Sequence, residues 1–63
     1  MTQKELLYVE DAIGHECNII SICNDIASNL QDKELVSFMQ KEIKTHESMK
    51  EKLIKKLEEC ANE

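Results

Sequence analysis

The stretch Ala27-Ser28-Asn29-Leu30-Gln31-Asp32-Lys33-Glu34-Leu35 decides how this chain folds. Up to Leu30, apolar residues recur at three-and-four spacing, the rhythm of one helix face: Leu6, Val9, Ile13, Ile20, Cys23, Ala27 and Leu30. The polar cluster Asn29, Gln31 and Asp32 then interrupts the pattern. A second stripe follows in Leu35, Met39, Glu42, His46, Met49, Leu53 and Leu57. Asp32 is well suited to cap a new helix, because a short carboxylate at that position accepts from the unpaired first-turn N–H groups. The pattern predicts helix 1 over about residues 3–29, a turn over 30–32 and helix 2 over about 33–61. Neither Pro nor Gly marks the turn, so one unbroken helix is the competing solution. At the other end, Thr2 and Glu5 form a T-x-x-E capping box, which starts helix 1 at Gln3.

Composition agrees. The 63 residues include no Pro, one Gly, one Tyr and one Phe, and are rich in Glu, Lys, Leu and Ile, so the expected class is all-α and a single domain spans 1–63. Two long helices joined by a short turn pack antiparallel. Helix 1 is also apolar on a flank, through Ala12, Ile19, Ile22 and Ile26, which widens its stripe beyond what one partner helix covers. A chain this short buries a small share of its surface. The expected solution is a homodimer in which two hairpins form a four-helix bundle.

Charge limits the partners. Residues 1–32 hold one Lys against six acids, residues 33–63 hold seven Lys against seven acids, and there is no Arg. Helix 1 therefore lacks the clustered cations that phosphate binding requires, which argues against nucleic acid and anionic membranes. An RNA-binding hairpin dimer, a third functional class, needs basic residues on helix 1, where only Lys4 is present. Cys17, Cys23 and Cys60 have no C-x-x-C or zinc-type spacing, and Cys17 and Cys23 point different ways on one helix. Reduced thiols and a cytoplasmic location are expected. No segment reaches the ~18 apolar residues of a membrane span, and no signal peptide pattern opens the chain.

Glu16 is the exception to the first stripe. It occupies a position between Ile13 and Ile20 that periodicity assigns to the interior, where a carboxylate needs a partner. With the turn centred on Gln31, Glu16 and His46 both lie fifteen residues from it and so meet at one level. Glu42 and His46 are four apart on helix 2 and converge on the same side. Glu16, Glu42 and His46 are thus candidate metal ligands, and a two-fold dimer would gather four carboxylates and two imidazoles, the ligand set of di-iron and di-manganese bundles. A simpler role is also open: Glu16 and His46 form a buried polar pair that fixes helix register, and a small rotation of helix 2 brings Ile43 and Lys50 inward and turns Glu42 outward. His15 and Glu47 are read as surface residues, Met39 and Met49 as core filler, and Tyr8 and Phe38 as flank packing. Gly14 either permits a close helix approach or is neutral. No Cys has a base or helix N-terminus to activate it, so thiol catalysis has no candidate.

The segment Ala12-Ile13-Gly14-His15-Glu16 followed by Thr45-His46-Glu47 resembles the metal-bearing helix pair of rubrerythrins, and the hairpin is similar to the ferritin-like spore coat F family. The resemblance covers about residues 5–57. Glu16 matches the helix-A Glu of such proteins and His46 the His of their Glu-x-x-His motif, whereas Ile43 stands where the motif has Glu. The resemblance implies a dimeric ferritin-like hairpin, associated with a coat or with other assembly proteins, whose metal centre is degenerate or absent. Two functions follow as expectations: a non-enzymatic homodimeric assembly protein with no cofactor, or a bundle holding a di-iron or di-manganese centre.

Overall fold

The computed structural model describes residues 1–61, so Asn62 and Glu63 of the expected domain lie outside the described residues. The chain forms α1 (Gln3–Asn29) and α2 (Lys33–Ala61), which pack against each other as a hairpin measuring 47 × 15 × 10 Å across its Cα atoms. There is no continuous helix through Gln31.

Both helices begin on a side-chain cap. The Thr2 hydroxyl accepts from the Glu5 backbone N–H at 3.1 Å, while the Thr2 N–H donates to Glu5 Oε1 at 2.8 Å. Those bonds, and the N-terminal ammonium, hold the Glu5 carboxyl below its ordinary value of 4.5. The lowered value means that this contribution to the first turn is in place above the ordinary carboxylate range and fades as the pH falls through Glu5's own titration. At α2, Asp32 Oδ1 accepts from the N–H groups of Glu34 at 2.9 Å and Leu35 at 3.0 Å, and the Asp32 carbonyl accepts from Val36 at 3.0 Å. The end of α1 needs no glycine. Ser28 Oγ and Asn29 Nδ2 both donate to the Asp25 carbonyl, and Leu30 leaves the helix in an extended conformation (φ −88°, ψ 141°).

The interface between the helices is one narrow seam. On α1 it runs through Val9, Ile13, Glu16, Ile20, Cys23, Ala27 and Leu30, all half-buried, as the sequence pattern predicts. On α2 it runs through Val36, Met39, Ile43, His46, Lys50, Leu53, Leu57 and Cys60. Both series step strictly by three and four, the 3.5-residue repeat of helices that stay in contact along their length.

The α2 seam differs from the expected stripe. Leu35 and Met49 are 51% and 44% exposed, so neither is core, and Ile43 takes the inward position in place of Glu42. The helix is turned by one position. That rotation exchanges a carboxylate for an isoleucine at the centre, at the cost of placing Lys50 on the seam, where its long aliphatic stem can lie along the interface with the ammonium in water. Ile43, at 9% exposure, is the one hydrophobic residue that the described hairpin buries outright. Leu6 and the flank residues Ile19, Ile22, Ile26, Tyr8 and Phe38 stay exposed.

Gly14 permits no close approach, because a Cβ built there meets nothing within 4 Å. Its φ is not positive. Gly14→Ala should therefore stabilise the protein by about 1 kcal/mol through helix propensity alone, read as a higher urea midpoint. Asp32→Ala removes both cap bonds and should cost about 1 kcal/mol, with the loss in the first turn of α2 visible by amide hydrogen exchange.

Candidate functional site

Halfway along the hairpin, His46 Nδ1 lies 2.6 Å from Glu16 Oε2. Both residues come to the seam because both sit on its 3.5-residue repeat, and they meet because each stands fifteen residues from Gln31. A carboxylate oxygen only accepts, so the ring N–H is the donor. The side chains retain 22% exposure at His46 and 12% at Glu16, which leaves the pair screened from water on the helix side and reached by it from the edge. No described buried side-chain nitrogen or oxygen is left without a partner.

Of the three proposed ligands, the hairpin joins two. Glu42 is half-buried and stands one position from the seam, displaced about 100° around the axis from Ile43. Among the described residues no three His, Cys, Asp or Glu side chains come together in a way that could hold a metal ion. Within one hairpin the donor set therefore does not fit a metal centre, since Glu16 and His46 spend their facing atoms on each other. The rotation of α2 is the one the sequence left open as an alternative: Ile43 lies inward and Glu42 on the flank of the hairpin.

The other titratable groups near this level are outward. His15 Nε2 lies 3.2 Å from Asp11 Oδ2, one turn earlier on α1, with both side chains more than two-thirds exposed. Such i,i+4 surface pairs contribute only a few tenths of a kcal/mol. Glu47 is exposed. Cys17 is exposed, whereas Cys23 and Cys60 are half-buried, and all three are free thiols. Sequence reasoning missed a shallow polar groove lined by Asn24 of α1 and Ser37, Gln40, Lys44 and Glu47 of α2. Each of these residues follows a seam residue by one position, and that offset was visible in the sequence once the seam is known.

No protein-family model matches the chain, nor does any curated protein or solved structure. Of the resemblance to ferritin-like proteins, rubrerythrins and the spore coat F family, the structure shows the all-helical two-helix hairpin. No described helix is long and apolar enough to cross a membrane.

The paired residues can be tested as a unit. Glu16→Ala or His46→Ala should each destabilise the protein by about 1–3 kcal/mol, because each leaves a half-buried polar partner without its hydrogen bond. Replacing both by Leu should recover most of that loss, since an apolar pair of similar volume often equals or exceeds a buried polar one. Urea denaturation of the single and double variants measures the coupling.

Proposed function

We propose that this chain acts by self-association, as a non-enzymatic helical hairpin that pairs with a second copy to form a four-helix bundle and serves as an assembly element. The observation that carries the proposal is the shortage of interior. Fixing a residue's backbone costs roughly 1–2 kcal/mol, and a fully buried Leu, Ile or Phe returns roughly 1.5–3 kcal/mol. Among the described residues only Ile43 is buried, at 9% exposure, and no side chain is fully enclosed, while Ile22 and Phe38 stand 57% and 58% exposed. A lone hairpin with that balance lacks the driving force to stay folded; a second hairpin supplies the missing cover.

The alternative of a di-metal bundle demands Glu42 beside Glu16 and His46, and its flank position favours assembly over metal chemistry. The Glu16–His46 pair then serves as a register pin, not as a ligand set. A polar pair on a largely apolar seam penalises a slip that would set Glu16 against Ile43 and His46 against Ile13.

Dimerisation makes stability depend on protein concentration. Sedimentation equilibrium at micromolar concentration should give twice the chain mass, and the thermal midpoint should rise as the protein is concentrated. Ile20→Asp on the seam should abolish helicity and association together. A helical species of single-chain mass at that concentration would refute the proposal.

A further inference from the structure

Resting on that self-association, the structure assigns the surface through which the copies meet. One position before each seam residue, α1 carries Tyr8, Ala12, His15, Ile19, Ile22, Ile26 and Asn29, and α2 carries Leu35, Phe38, Glu42, Thr45, Met49, Lys52, Lys56 and Glu59, so the apolar residues gather in the half nearer the turn. A step of one residue is about 100° around a helix. Because the two helices run in opposite directions, stripes displaced by the same step emerge on the same side of the pair. The groove shared by Asn24, Ser37, Gln40, Lys44 and Glu47 verifies this geometry for the step in the other direction, since residues from both helices meet there on one side. We infer that the hairpin is a two-faced slab, and that a second copy of this chain docks on its Ile19–Ile22–Ile26–Leu35–Phe38 face while the Asn24–Gln40–Lys44 face stays in water.

Three observations select a second copy as the occupant. The face has contributions from both helices, so a flat two-helix layer covers it better than a single peptide. The whole broad side measures 47 × 15 Å, on the order of 700 Å² per copy beside the ~800 Å² per partner of stable complexes, and its apolar part is the half nearer the turn. The turn-proximal half, where Ile19, Ile22 and Ile26 lie beside Leu35 and Phe38, is free of Lys, so a like surface brought against it meets little charge repulsion. The opposite face has only Leu7 and Ile54 as exposed large apolar residues, both near the open end of the hairpin.

The isoleucines provide the test, because Ile54 points to the other side and acts as an internal control. In the wild-type protein with labelled Ile methyl groups, a soluble nitroxide should leave the Ile19, Ile22 and Ile26 signals largely intact and bleach that of Ile54. The charged double variant Ile22→Asp with Phe38→Asp should weaken dimerisation at least 100-fold by sedimentation, whereas Gln40→Glu with Lys44→Glu should leave it within a few fold. Ile22 and Phe38 are more than half exposed within the hairpin, so the pair of substitutions acts on the face between copies before it acts on the seam. A dimer whose Ile22 methyl is bleached no less than that of Ile54, or one that the Gln40/Lys44 variant dissociates and the Ile22/Phe38 variant does not, overturns the assignment while leaving self-association standing. A wild-type protein that sediments as a folded single chain overturns both.

Discussion

Two helices in contact share one seam, and each residue on that seam is covered from one side only. Every other property of this hairpin follows from the constraint. Strict three-and-four spacing from Val9 to Leu30 and from Val36 to Cys60 keeps the helices together along their length, yet it leaves the other seam residues half-buried and even Ile43 at 9% exposure. A stripe of 3.5-residue period is narrower than a globular core requires. Ile19, Ile22 and Ile26 with Leu35 and Phe38, one position back from the seam near the turn, add apolar surface that the hairpin leaves exposed.

Glu16 and His46 occupy the midpoint of that seam. A polar pair there gives up apolar burial in exchange for alignment: sliding one helix by a turn so that Glu16 faces Ile43 would separate the two groups and set His46 against Ile13. Their hydrogen bond at 2.6 Å is thus a statement about register, and register decides which residues appear on each face of the slab. The choice of Ile43 over Glu42 at the seam belongs to the same balance. Burying the isoleucine stabilises the contact, and the displaced carboxylate stays half-buried on the flank of the hairpin.

The features legible in the sequence are those set by local chemistry or by counting. Thr2 with Glu5, and Asp32, announce helix starts because capping involves residues two or three apart. The meeting of Glu16 and His46 needs only the position of the turn. The rotation of α2 was not legible, for a specific reason: Leu35, Glu42 and Met49 form one stripe and Val36, Ile43 and Lys50 its neighbour, and both share Met39, His46, Leu53 and Leu57. Each alternative holds one charged residue among apolar ones, so periodicity within the helix is neutral between them. Packing against α1 decides it. The same ambiguity reaches the ligand set, since Glu42 is placed beside His46 by spacing alone and spacing is satisfied on either stripe.

The three-residue link between the helices sets the order in which these contacts can form. Around Leu30, Gln31 and Asp32, contacts are nested: Ala27 opposite Leu35 or Val36, then Ile20 near Glu42 and Ile43, then Glu16 on His46, then Val9 near Leu53. Each successive contact lengthens the enclosed chain by only a few residues beyond the one already closed, so the entropy of closing a loop is met in small instalments and no long segment has to be gathered at once. Topologies with this property have low contact order, which is the condition for rapid folding. The open end is the mirror of that arrangement. Met1, Leu6, Leu57 and Cys60 line one hollow there, and by the same nesting their contacts close last.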